Sequence, residues 1–118
     1  MALPSVLILG ADSVIALTVI RELGRNGVPV HVIGRTESSI GRYSRYTRSY
    51  CVRPRGEDLG AWLPGVIRAT GAKFLIGISE GDLLALADLP DELNGCRLLG
   101  PSRDQLEIVL DKARTLEV

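Results

Sequence analysis

The sequence contains few of the residues that mark disulfide-rich, metal-binding or aromatic-rich proteins. It has two cysteines, one histidine, one tryptophan, one phenylalanine and three tyrosines among 118 residues. Cys51 and Cys96 lie far apart and outside any metal-ligand spacing, so we interpret them as reduced thiols. This interpretation excludes a disulfide scaffold and gives no support to a cysteine nucleophile.

The chain also lacks net charge and long apolar runs. Its formal net charge is zero, which removes any overall attraction to nucleic acid. No apolar run approaches the roughly 20 residues of a membrane helix, and residues 1–5 lack the features of a signal peptide. We therefore expect a cytoplasmic protein with neither nucleic acid nor membrane among its partners.

The zero net charge conceals an uneven distribution along the chain. Residues 35–55 contain six arginines and one acid, whereas residues 57–118 contain eleven acids and six bases. The first stretch therefore carries a local charge of +5 and the second a charge of −5. A positive stretch of this kind is suited to a small anion or to a binding partner.

Apolar runs alternate with helical patterns along most of the chain. A continuous run such as Val6–Leu9 is typical of a parallel strand buried on both faces. A helical pattern of apolar residues follows this strand, and Asp12 or Ser13 is the candidate cap of that helix. A later predicted helix contains Pro64, where we expect a kink or a restart. The pattern predicts an open, mostly parallel α/β sheet of about five strands with helices on both faces. The predicted strands are 6–9, 30–34, 49–52, 74–78 and 97–100.

A further helix is predicted near the end of the sequence. Residues 102–105 read as a capping box, with Ser102 as the cap and Gln105 three residues later. Leu106, Val109, Leu110 and Ala113 follow at helical spacing, and no Gly, Asn or Pro closes the helix. We therefore expect a domain over 1–101, a linking helix over 102–118, and a longer protein beyond them.

In sheets of this kind, ligands bind beyond the carboxyl ends of the strands. Polar residues and glycines follow three predicted strands there, and two helix N-termini at the same edge favour a carboxylate or phosphate. Residues such as Asp12 and Ser79 also have an ordinary role as helix caps. The candidate substrate-binding residues are Gly10, Ala11, Asp12, Arg35, Ser79 and Glu80.

Two other classes of function remain open from the residues alone. A dinucleotide site requires G-x-G-x-x-G, but Asp12 and Ile15 replace the second and third glycines, and only Arg35 favours an NADP enzyme. The second class is a non-catalytic module that binds a small anion or a partner through the arginine-rich stretch. His31 lies inside a predicted strand and is interpreted as packed.

The order of motifs resembles the N-terminal, Rossmann-like pre-ATP-grasp domain of ATP-grasp carboxylate–amine ligases. Relatives in this superfamily include the carbamoyl-phosphate synthetase large subunit, biotin carboxylase and D-alanine–D-alanine ligase. The resemblance spans nearly the whole chain. It rests on the sequences at 6–12, 39–46, 78–82 and 99–102, followed by the pair Asp111-Lys112.

The resemblance implies an enzyme that uses ATP and Mg²⁺ to convert a carboxylate into an acylphosphate, which an amine or thiol then attacks. It implies that Lys112 contacts a nucleotide phosphate and that the chain contains no catalytic or metal-binding residues of its own. The expected partners are a downstream ATP-grasp domain, small carboxylate and amine substrates, and a second copy in a homodimer. This segment alone is expected to be inactive.

Overall fold

The computed structural model describes residues 4–56 and 58–116, with side chains described as far as residue 112. Six strands form one sheet: β1 (Val6–Leu9), β2 (Val30–Gly34), β3 (Thr47–Val52), β4 (Phe74–Gly77), β5 (Glu92–Leu93) and β6 (Cys96–Leu99). The α-helices are α1 (Val14–Arg25), α2 (Leu59–Thr70), α3 (Glu80–Ala87) and α4 (Arg103–Leu116). No helix in the described residues is both long and apolar enough to cross a membrane.

The sheet is parallel except at one edge. Its strand order is β3-β2-β1-β4-β6-β5, and among the described residues only the β5–β6 pairing is antiparallel. Successive residues of β1 face opposite sides, so Val6 and Ile8 join one apolar layer while Leu7 and Leu9 join the other. The first layer includes α1 and α4, and the second includes α2 and α3. The predicted α/β fold with helices on both faces is confirmed.

Serine side chains start three of the helices. Ser13 Oγ accepts a hydrogen bond from the Ala16 amide at 3.2 Å, which makes Ser13 rather than Asp12 the cap of α1. Ser79 and Ser102 cap α3 and α4 as predicted. The capping box at α4 is incomplete, because the Gln105 side chain accepts from the Gly100 amide instead of reaching back to Ser102.

The sixth strand, β5, is absent from the sequence-based prediction. It pairs with β6 across a two-residue turn, and both turn residues have positive φ: 52° at Asn94 and 78° at Gly95. Asn-Gly is the preferred pair for such a hairpin turn, so the sequence did contain the signal. The strand is only two residues long, too short to show an alternating pattern.

The predicted restart of a helix at Pro64 is wrong. Helix α2 runs unbroken from Leu59 to Thr70 with Pro64 inside it. Leu59 and Leu63 precede the proline, and Ile67 follows it. All three side chains are buried against the same face of the sheet. This packing holds both halves of the helix to the same layer and offsets the lost backbone hydrogen bond.

Helix α4 contributes to the core of the same domain. Leu106, Val109 and Leu110 are buried in the layer that contains α1. Ala113, the last residue of the predicted apolar stripe, lies outside the described side chains. The helix therefore packs on the sheet, and its role as a link to a downstream domain stays a prediction.

The connector between β2 and β3 contains one short 3₁₀ helix, Ile40–Tyr43. Its end is held against α1 by Tyr46. A Cβ added to Gly24 of α1 would lie 2.3–2.5 Å from three atoms of the Tyr46 side chain. Gly24 lies in the last turn of α1, and its missing side chain makes room for the tyrosine ring.

This contact predicts opposite effects for two glycine substitutions. Gly24→Ala adds about 1 kcal/mol of helix propensity but forces Tyr46 to move, at a cost of about 1–3 kcal/mol. We expect it to lower the free energy of unfolding measured in urea. Gly65→Ala in α2 meets no atom within 4 Å, so we expect it to raise that free energy. A stabilised Gly24→Ala variant would show that Tyr46 does not pack there.

Candidate functional site

The candidate site lies where the strand order of the sheet reverses. Strand β1 has β2 on one side and β4 on the other, which is the position at which open α/β sheets bind ligands. A cleft of about 390 Å³ opens at the carboxyl ends of these strands. It is lined by Gly10, Asp12, Ser13, Arg35, Ser79, Gly81 and Asp82.

The floor of the cleft is organised around the carboxylate of Asp82, a residue only 2 % exposed. Ser79 Oγ donates a hydrogen bond to Asp82 Oδ2 at 2.7 Å and accepts one from the Asp82 amide at 3.0 Å. Arg35 Nη2 and Arg53 Nη1 lie 3.7 and 3.6 Å from Asp82 Oδ1. The buried charge is therefore neutralised by two guanidinium groups and capped by a hydroxyl.

Gly10 follows β1 directly and lies against this carboxylate. Its φ is +108°, and a Cβ at this position would lie 2.3 Å from Asp82 Oδ2. Both the backbone conformation and the close approach require glycine here. The turn after β1 and the first turn of α3 are therefore in contact across the cleft.

Asp12 places a second carboxylate at the cleft. It is exposed, and its Oδ1 accepts a hydrogen bond from Ser39 Oγ of the connector. Arg35 is also accessible, with 63 % of its side chain exposed, whereas the figure for Arg53 is 26 %. The cleft thus presents one accessible carboxylate and one accessible guanidinium above a neutralised floor.

Four of the six predicted substrate-binding residues line the cleft: Gly10, Asp12, Arg35 and Ser79. Ala11 does not; it is buried, and its amide donates to Ile33 O while its carbonyl accepts from the Gly41 amide. The Gly10 amide also donates to Ile33 O. Glu80 is exposed at the start of α3 and is not a lining residue.

Sequence reasoning missed the residue that organises the site. Asp82 was noted only within a motif, although Ser79-x-x-Asp82 has the spacing of a capping box. In the sequence, Arg53 is only one of the six arginines of residues 35–55. No sequence signal pairs these residues, because their proximity depends on β3 and β4 ending at the same edge of the sheet.

Lys112 is exposed on α4 and is not among the residues that line this cleft. Within the described ranges, no group of three or more histidine, cysteine or acidic side chains is arranged to hold a metal ion. The proposed contact of Lys112 with a nucleotide stays a prediction.

The two cysteines and the histidine lie outside the cleft. Both thiols are free, and burial raises the pKa of Cys96 to about 11, which opposes thiolate formation at neutral pH. His31 Nδ1 lies 2.6 Å from Ser49 Oγ between neighbouring strands. Partial burial, assisted by the charge of Arg48, lowers the His31 pKa and favours a neutral, packed ring.

The charges of the cleft argue against a dinucleotide. A pyrophosphate group there would approach Asp12 at the position of the second fingerprint glycine and would lie close to Asp82. Arg35, the main support for an NADP enzyme, already faces Asp82. A small ligand with a carboxylate and a cationic group suits these charges better.

No family model matches the chain. No curated protein sequence matches it either. Among solved structures, its fold is similar to that of glycinamide-RNase-transformylase T from Mycobacterium tuberculosis, with a TM-score of 0.58. The two chains are 20 % identical over a match that covers 80 % of this chain and 25 % of the other. The likeness establishes the fold, and this chain spans about a quarter of the length of that protein.

The buried carboxylate generates a stability prediction. In Asp82→Asn, the side chain loses the negative charge that faces Arg35 and Arg53, and we expect a loss of about 1–3 kcal/mol in the free energy of unfolding. The control is Asp88→Asn at the exposed C-terminal end of α3, expected to change stability by less than about 0.5 kcal/mol. If urea titrations gave the same change in the free energy of unfolding for both variants, Asp82 would not be the residue that organises the cleft.

Proposed function

We propose that this chain is the substrate-binding N-terminal domain of an ATP-dependent ligase that joins a carboxylate to an amine or thiol. The observation that carries the proposal is the cleft at the reversal of strand order, where the accessible Arg35 and Asp12 face the same space. A guanidinium at this place suits a carboxylate, and a carboxylate suits a cationic amine.

The structural match supports the same proposal. The matched structure is that of a transformylase, and the match covers only a quarter of its length. The ATP-grasp part of the proposal rests on the sequence motifs, which resemble the N-terminal domain of these ligases. We therefore place the Mg²⁺-binding acids and most nucleotide contacts in a downstream ATP-grasp domain. ATP would supply the phosphoryl group that turns a carboxylate oxygen into part of a good leaving group.

In this proposal the described residues bind and orient the substrate. Arg35 holds the carboxylate near the positive N-terminal end of α3, and Asp12 holds the amine. Arg53 remains with Asp82, so the floor stays neutral when Arg35 turns to the substrate. The chain supplies no catalytic residue in this scheme.

Substitution of Arg35 tests the substrate site. In the full-length protein, Arg35→Gln removes the charge that binds the carboxylate, so KM for that substrate should rise about tenfold or more. KM for ATP should stay unchanged. Small carboxylates and amines are first screened for the pair that supports ADP formation. The KM values are then measured from the rate of ADP formation with that pair.

The matched control for this experiment is Arg55→Gln, an exposed arginine beyond β3 that does not line the cleft. It should leave both KM values unchanged. An Arg35→Gln enzyme with an unaltered carboxylate KM would place the substrate elsewhere. A full-length protein that makes no ADP with any carboxylate and amine would contradict the ligase proposal itself.

Substitution of Lys112 tests the nucleotide contact. Loss of one charged phosphate contact in Lys112→Ala should weaken ATP binding about tenfold in calorimetric titration, with an unchanged circular dichroism spectrum. Lys73→Ala, an exposed lysine directly before β4, is the control and should bind ATP normally. Unchanged affinity in Lys112→Ala would assign Lys112 to the solvated helix surface.

A further inference from the structure

A second cleft lies between the C-terminal half of α1 and the connector that leads into β3. Its volume is about 340 Å³, and it is lined by Arg21, Arg25, Tyr43, Ser44, Arg45 and Tyr46. A smaller adjoining cleft shares Arg45 and Tyr46 and adds Arg48. Ser13 of the first cleft and Arg25 of the second are separated by almost the whole of α1, about 18 Å at the helical rise. The two clefts are therefore distinct.

The cleft has a preformed floor. The Tyr46 ring packs directly on Gly24, so Arg21 and Arg25, three residues before and one after this glycine, lie on either side of the ring. Arg45 stacks over the same ring at 4.8 Å and donates a hydrogen bond to its hydroxyl at 2.7 Å. Side chains from two separate elements thus converge on one aromatic platform.

The positive charge of the cleft has no counterpart among the described residues. No carboxylate in this part of the structure forms an ion pair with Arg21, Arg25, Arg45 or Arg48. The two acids closest in sequence already have partners, since Glu22 pairs with Arg103 and Glu37 with Arg42.

The tyrosine at the centre of the cleft responds to this charge. The hydrogen bond from Arg45 and the charges of Arg45 and Arg25 lower the Tyr46 pKa. The guanidinium groups of Arg25 and Arg45 therefore act on one point of the surface, and an anion bound there would relieve their mutual repulsion.

We propose that this cleft binds an oligophosphate anion of small size, at a site separate from the strand-end cleft. The planar guanidinium group matches phosphate oxygens in pairs, so the three arginines of this cleft, with Arg48 adjoining it, suit a ligand with two or more phosphoryl groups better than a single carboxylate. The concave shape and volume fit a small molecule. The proposal does not depend on the ligase function.

The bare polyphosphate and a nucleoside triphosphate share this chemistry. Tyr43, whose side chain lies at the rim and is 69 % exposed, offers a surface on which a base would stack. A uridine triphosphate that binds more tightly than inorganic tripolyphosphate, and loses the advantage in Tyr43→Ala, would identify a nucleotide. Equal affinities would identify the polyphosphate group as the ligand.

The test is calorimetric titration of the protein with inorganic tripolyphosphate, compared with the double variant Arg21→Gln/Arg25→Gln. We expect saturable binding that weakens about tenfold or more in the double variant and also weakens as salt is raised. The control is Arg68→Gln, an exposed arginine on α2 across the sheet, which should bind within about twofold of the parent protein. All three substituted residues are exposed, so the fold should persist.

Three results would overturn the proposal. The first is the absence of tripolyphosphate binding at low salt. The second is an equal loss in Arg68→Gln, which would mean diffuse attraction instead of a site. The third is tight binding of a single-stranded oligoribonucleotide that tripolyphosphate does not displace, which would make the surface a nucleic-acid interface.

Discussion

The geometry of the strand-end cleft depends on one buried carboxylate. Asp82 lies at the start of α3, where a charge removed from water costs several kcal/mol unless it is paired. Arg35 after β2, Arg53 after β3 and Ser79 after β4 supply the partners. Because these residues follow three different strands, the requirement to neutralise one carboxylate joins three loops, and the glycine after β1 completes the arrangement.

This arrangement gives the two arginines different roles: one stabilises the buried carboxylate, and the other is accessible to a ligand. Arg53 is the more buried of the two arginines and can remain with Asp82, whereas Arg35 is largely exposed. An incoming carboxylate would therefore compete for Arg35 without leaving Asp82 unpaired. The cleft can offer a cation to a ligand while its floor stays intact, a combination that a single arginine would not provide.

The sequence predicted those features that depend on local patterns. Buried strands such as Val6–Leu9 appear as apolar runs, and Ser79 and Ser102 have the spacing of helix caps. The role of Asp82 could not be predicted, because a charged residue in the first turn of a helix is usually solvated, and the pairing that allows its burial involves arginines distant in the sequence. The burial of Ala11 away from the cleft has a related cause: its backbone groups bond to residues of two other segments.

The arginine-rich stretch, residues 35–55, is a second case in which the roles of residues depend on contacts distant in the sequence. Along the chain its members look alike, yet the fold divides them according to the strand end or connector on which they lie. Arg35 and Arg53 neutralise Asp82, Arg42 pairs with Glu37, and Arg45 joins two arginines of α1 around Tyr46. A local charge of +5 was therefore not one property of the sequence. It combined two arginines that face a buried carboxylate, one arginine in a surface ion pair, and one arginine in a cleft whose guanidinium groups form no ion pair among the described residues.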